Sequence, residues 1–210
     1  MQERDVAKVD YALVRTKRIQ RGGDHYHSGG HARRVPSINT VSDYVDALPR
    51  ASVVEDFAAW NPRLRSKTTV RTSATGHFSD PSLAAALLHA TPKTLLSDFN
   101  TFGLLFESLC VRDLRVYMDA VRGSVYHYRD KTGLEADAVL ALPDGRWALV
   151  EVKLVHGKIN EGAKHLLKLA SRINVDHEGT PAFLMVITAT EAAYRRSDGV
   201  LVVPLARLAP

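Results

Sequence analysis

Two runs of alternating character, LEADAVLAL (134–142) and RWALVEVKL (146–154), stand on either side of Pro143-Asp144-Gly145. A turn of that composition between apolar runs dictates a β-hairpin, and a side-chain period of two then decides which residues share a face. Trp147, Leu149, Glu151 and Lys153 take one face of the second strand, and Ala148, Val150, Val152 and Leu154 take the other. Along the first strand Glu135, Asp137 and Val139 go together. Pairing through the turn brings Asp137 near Glu151, with Lys153 about 7 Å further along the same face. Two acids so placed repel, which calls for a cation between them.

The surroundings of the hairpin predict an α/β protein. SVYHYRD (124–130) precedes it as a third strand behind a Lys-Thr-Gly turn. NEGAKHLLKLASRI (160–173) has helical spacing, with Ala163, Leu166, Leu167, Ala170 and Ile173 as the buried stripe. Lys164, Lys168 and Arg172 form a basic stripe at i, i+4 and i+8 that can meet a nucleic-acid backbone. PAFLMVITAT is continuously apolar, the mark of a central strand covered on both faces, and GVLVVPL is a last strand whose Pro204 puts its end at an edge. Helix, three strands, helix and strand make a mixed sheet flanked by helices.

Upstream, DPSLAAALLHATP reads as a helix ended by Pro92, and KTLLSDFNTFGLLFESLCVRDLRVYMDAV as a second helix bent or restarted near Asn100 to Gly103. Phe102, Leu105, Phe106 and Leu109 give it an apolar face, on which Glu107 is out of place, while Ser108, Arg112, Asp113 and Arg115 take the wet side. A carboxylate there needs a positive partner, most simply a salt bridge at the edge of the core. Cys110 reads as a small buried hydrophobe. Earlier still, a short amphipathic helix in INTVSDYVDAL, a strand in ASVVEDFAAW, the polar connection NPRLRSK, and strands in TTVRTSATGHFSD broken at a Gly76 turn resemble the back half of a winged helix. Arg63, Arg65, Lys67 and Arg71 make its wing basic, suited either to a phosphate backbone or to water alone. Residues 21–37 read as a Gly/His/Arg loop whose His25, His27 and His31 lack the spacing of a zinc site.

With 210 residues, 45% of them hydrophobic, the chain can bury a core, and its formal charge of +5 favours phosphate-rich partners such as DNA. Its single cysteine forms no intramolecular disulfide, and no apolar run approaches the roughly 20 residues that span a bilayer. A cytoplasmic protein without a membrane partner is the expectation.

FGLLFESL, VYHYRDKTGLEADAVL and RWALVEVKL together resemble the C-terminal region of prokaryotic AAA-type ATP-binding proteins, the domain of unknown function 4143 (DUF4143), with its restriction-endonuclease-like PD-(D/E)XK core. The resemblance runs from about Ile38 to the end and implies a divergent segment over 1–37, a winged-helix-like segment over 38–92 and a nuclease-like domain over 93–210. By the same resemblance Asp137 matches the first acid of the nuclease motif, Glu151 and Lys153 its E-x-K, and Glu107 a helical acid. It implies Mg²⁺ held by Glu107, Asp137, Glu151 and the carbonyl of Val152, with Lys153 orienting or deprotonating the attacking water. The family's upstream ATPase has no counterpart here: GxxxxGK[ST] occurs nowhere, and Gly157-Lys158-Ile159 lacks its leading glycine and its hydroxyl. ATP is therefore not an expected cofactor, and a separate ATPase or another protein becomes an expected partner. The readings are a Mg²⁺-dependent phosphodiesterase acting on DNA, a non-catalytic DNA- or protein-binding module, and a remnant of the longer ATPase.

Overall fold

Alternating and periodic stretches of the second half become a sheet with a long helix on each face. The computed structural model of the chain describes residues 53–62, 70 and 75–209. The helix expected within 38–48, the stretch 21–37 and the basic residues Arg63, Arg65, Lys67 and Arg71 lie outside them.

β1 (Val54–Phe57) and β2 (Thr75–Phe78) pair antiparallel as a separate two-stranded sheet. Gly76 does not break the strand as the sequence suggested. It sits within β2 opposite Asp56, and a Cβ there would lie 2.9 Å from Val54 Cγ1. The glycine marks a close approach within the ribbon instead of a turn.

α1 (Pro81–Leu87) is capped by Asp80, whose side chain accepts from Ser82 N. Pro92 does not simply end it. Pro92 opens α2 (Pro92–Ser97), where Thr91 and Thr94 form a reciprocal cap, because proline at the first helical position gives up an N–H that has no partner anyway. The restart then falls at Asp98, which caps α3 (Phe99–Ala120) by accepting from Asn100 N and Thr101 N. Ser108, expected on the wet side of α3, is buried, with its hydroxyl 3.5 Å from His77 Nδ1 on β2. Arg115 of α3 also pairs with Glu55 of β1, so the small sheet is tied to this helix.

The main sheet follows: β3 (Ser124–Arg129), β4 (Glu135–Ala141), β5 (Trp147–Lys153), then α4 (Ile159–Arg172), the single turn α5 (Val175–Glu178), β6 (Leu184–Thr188), the two-residue β7 (Tyr194–Arg195) and β8 (Leu201–Pro204). Spatial order is β3-β4-β5-β6-β8-β7. The first three strands form an antiparallel meander, whereas β5, β6 and β8 run parallel, with α4 in the crossover from β5 to β6. β6 is central, as its unbroken apolar run requires. β7 covers β8 only at Leu201 and Val202, so Pro204, paired with Thr188 of β6 on one side, stands at an edge on the other, as a proline in a strand requires. At the opposite edge, Trp60 N donates to His127 O and His127 N to Ala58 O, which shields β3 from edge-to-edge pairing.

The core has a layer on each face of this sheet. On one, Phe106, Cys110, Val111 and Leu114 of α3 meet Ala138, Leu140, Val150, Val152 and Ile187. On the other, Ala163, Leu166, Leu169 and Ile173 meet Val139, Trp147, Leu149 and Val186. Each such aliphatic side chain contributes about 1.5–3 kcal/mol on burial. Leu169 takes the place foreseen for Leu167, which is exposed: the stripe on α4 is rotated toward the strands. No helix among the described residues is long and apolar enough to cross a membrane.

Arg172 at the end of α4 is turned inward. Its Nη1 donates to Oδ2 of the fully buried Asp130 at 3.1 Å, while Oδ1 accepts from Thr132 N, Thr132 Oγ1 and Leu134 N. Removing one partner of a buried ion pair strands the other, normally at about 3–5 kcal/mol. Because three donors to Asp130 would survive, Arg172→Ala is expected to lower unfolding stability by about 2–3 kcal/mol in urea melts. The exposed neighbour Lys168→Ala should change it by less than about 0.5 kcal/mol.

Candidate functional site

The ladder between β4 and β5 runs from Ala141↔Trp147 to Ala138↔Val150 and stops there. Asp137 is the first residue beyond it, and its side chain replaces the missing backbone partner: Val152 N donates to Asp137 Oδ2 at 2.7 Å. On its other side β5 stays paired with β6, Glu151 opposite Val186 and Lys153 opposite Thr188. Leu149 belongs to the core layer beneath α4, so by alternation Glu151 and Lys153 project on that face. Along β4 the period of two is interrupted, since Ala136 and Val139 both join that layer and the register with β3 shifts between them, and Asp137 is placed by its bond to Val152 N instead.

Lys153 joins the two acids. Its Nζ lies 2.6 Å from Glu151 Oε1 and 3.8 Å from Asp137 Oδ2. Glu151 is only 2% exposed, and its Oε2 is buried without a hydrogen-bond partner. Burial, reinforced by the charge of Asp137 and more weakly by Glu135, pushes the Glu151 carboxyl up to about 8 although Lys153 pulls the other way. One nearby ammonium does not fully offset two acids and a desolvated site.

α4 closes over this group. A Cβ on Gly162 would lie 3.1 Å from Glu151 Cγ and 3.3 Å from Lys153 Cγ, so a larger residue would press on both side chains and glycine eases the close approach of the helix. One turn on, His165 Nδ1 is 3.7 Å from Glu151 Oε1. The sequence reading passed over both residues. A glycine inside a helix costs about 1 kcal/mol against alanine, which is itself a signal of close packing, and His165 was hidden among lysines chosen for their charge.

The remaining sequence candidates are spread more widely. Val152 is the strand residue whose N–H Asp137 receives. Glu107 is half-buried on α3, the helix of the opposite sheet face, where its charge and those of Asp113 and Asp137 add to burial in raising the thiol of Cys110. Cys110 is fully buried, as its reading as a core residue requires. Lys164 and Lys168 are exposed on α4, whereas Arg172 is held by Asp130. Among the described residues no three His, Cys, Asp or Glu side chains form a ready-made metal-ligand cluster. Asp137 and Glu151, one of them with an orphaned buried oxygen, suit a hard cation that keeps several of its waters. A groove of about 450 Å³, lined by Phe106, Asp113, Tyr117, Thr190 and Leu208 among others, begins at Thr188, the register partner of Lys153.

The raised Glu151 fixes the sign of a pH effect. Between its ordinary value of 4.5 and about 8 the folded chain holds a proton that the unfolded chain releases, so stability is fully present below the lower value and declines as pH rises toward the upper one. Without divalent ions, urea midpoints should therefore fall across that window. Glu151→Gln should flatten the decline; an unchanged slope in that variant would assign the proton to another group.

A profile of the family described as "Domain of unknown function (DUF4143)" matches residues 102–208. No curated protein matches the chain. A solved half-complex from a tetradecameric assembly of Thermococcus gammatolerans McrB AAA+ hexamers with bound McrC is 11% identical, covering 97% of this chain and 72% of that one at a TM-score of 0.32.

Proposed function

The chain belongs to the DUF4143 family, and within it we propose that residues 93–210 form a nuclease-type domain of the PD-(D/E)XK kind that hydrolyses phosphodiester bonds with a divalent cation. The observation that carries this reading is the convergence of Asp137 and Glu151 on the ammonium of Lys153, with Glu151 Oε2 buried and unpartnered. Asp137 and Glu151 would hold the ion, Mg²⁺ in the sequence reading. When bound, such an ion polarises the scissile phosphate and lowers the pKa of a coordinated water.

The chain's own residues do the rest. Lys153, on a flexible stem, leaves Glu151 to orient the attacking water and to balance charge on the phosphate. The backbone of Val152, fixed between Asp137 and β6, keeps the Glu-x-Lys side chains in register. Lys164 and Lys168, exposed on the helix that covers the site, attract the nucleic-acid backbone, a contact that positions without reading sequence. Arg172 is left out of this surface because Asp130 engages it.

One observation favours a second reading. Lys153 already contacts Glu151 at 2.6 Å, as in a structural pair, and a site closed in that way suits a DNA- or protein-binding module without turnover. A separate ATPase subunit would be a fitting protein partner for either form.

The two readings separate on a pair of variants. Under the catalytic reading a divalent ion at a hundredfold excess over its Kd stabilises the wild type by about 2.7 kcal/mol, and Glu151→Gln loses most of that gain. Lys153→Ala keeps the metal-dependent stabilisation and loses cleavage of single-stranded, duplex or branched DNA. Wild type that neither gains stability from Mg²⁺ or Mn²⁺ nor cuts any of these substrates would leave the binding module.

A further inference from the structure

α4 brings to Glu151 a side chain that the two-carboxylate reading does not use. His165 lies one turn beyond Gly162, whose missing Cβ lets this part of the helix settle against Glu151 and Lys153. Its Nδ1 is 3.7 Å from Glu151 Oε1, the oxygen that Lys153 also contacts, and the residue is half-buried with its side chain 44% exposed. Two donor atoms that share one ion, each about 2.0–2.2 Å from it, stand roughly 3–4 Å apart, so the pair is spaced for a common metal without movement of the backbone. Lys153 Nζ now stands within reach of both acids, 2.6 Å from one and 3.8 Å from the other. Its flexible stem allows the ammonium to move aside. The other oxygen of the same carboxylate, Oε2, is buried and has no hydrogen-bond partner, which leaves it available to a ligand.

We infer that His165 is an imidazole ligand of this site, which thereby takes Mn²⁺ in preference to Mg²⁺. The inference rests on the proposal that Asp137 and Glu151 hold a divalent ion, and it narrows that ion to the first-row transition dications, of which Mn²⁺ is the probe. Carboxylates alone accept Mg²⁺ readily, whereas an imidazole nitrogen contributes little to Mg²⁺ and more to first-row transition ions. The ordinary alternative is that His165 is a surface residue lying beside an acid. It predicts no bond between nitrogen and metal.

The test uses Mn²⁺ alone on the full chain, read by pulsed electron paramagnetic resonance. Wild type should show a histidine nitrogen coupled to the bound Mn²⁺, identified by its change on labelling histidine with ¹⁵N. The coupling should vanish in His165→Gln. In titrations, the ratio of Mg²⁺ to Mn²⁺ dissociation constants should fall about tenfold in that variant, mostly through weaker Mn²⁺ binding. Bound Mn²⁺ without histidine coupling, or coupling that persists in His165→Gln, would overturn this inference and leave the two-carboxylate site standing. Absence of Mn²⁺ and Mg²⁺ binding altogether would overturn the metal site itself and this inference with it. Should His165→Gln not fold, the labelled wild type still decides whether any histidine is a ligand, and His165→Asn decides which.

Discussion

The bond from Val152 N to Asp137 Oδ2 is the hinge of the structure. A strand pair that stopped at Ala138↔Val150 would leave the next N–H of β5 buried without a partner, at a cost of about 1–3 kcal/mol. The carboxylate of Asp137 fills that vacancy, and because it reaches across as a side chain it lets β4 and β5 part. Room for Glu151 and Lys153 exists because the backbone ladder ends there. A valine at 137 would satisfy the apolar period of the hairpin and leave the N–H of Val152 without this acceptor.

The two faces of the sheet answer burial differently. Beneath α3 the layer is apolar as far as Val152 and Ile187, so the strand ends need no compensation. Beneath α4 the same strands carry Val139, Leu149 and Val186 and then turn abruptly to Asp137, Glu151 and Lys153. Charge at the end of a buried stripe is costly, and the raised Glu151 reports that cost. Asp130, at the far end of α4, meets the same problem with four donors and leaves none of it unsolved. The contrast is between an acid whose oxygens are all met by donors and one, Glu151, that keeps a buried oxygen without a partner.

Much of this was legible in the sequence where a period was sharp. The turn at Pro143-Asp144-Gly145 set the pairing of β4 with β5 and put Glu151 and Lys153 on one face, whereas the irregularity of β4 between Ala136 and Val139, which decides where Asp137 lies, left no mark in the hairpin's period. The apolar run at Leu184–Thr188 announced a central strand. Contacts between elements remote in sequence were not legible. Ser108 has the composition of a wet position and is buried because β2 brings His77 to it. Leu167 and Leu169 are equivalent by composition, and only the angle of α4 on the sheet chooses between them. Arg172 belonged to the basic stripe by spacing, yet Asp130, 42 residues earlier, draws it inward. Gly76 looked like a breaker and, like Gly162, is a close approach.

Direction explains why the acids gather where they do. β5, β6 and β8 run parallel, so Lys153, Thr188 and Pro204 all stand at carboxyl ends, the side of an open α/β sheet where ligands bind. The groove that reaches Thr188 is lined by Phe106, Asp113 and Tyr117 of α3, so it approaches the same strand ends from the other face of the sheet. Within that arrangement Lys153 acts as a tethered cation: it holds the two carboxylates together when nothing else does, at a site whose raised Glu151 shows that one ammonium falls short of the charge required. Under the catalytic reading proposed above, a dication would supply the difference and free the lysine for an anionic substrate.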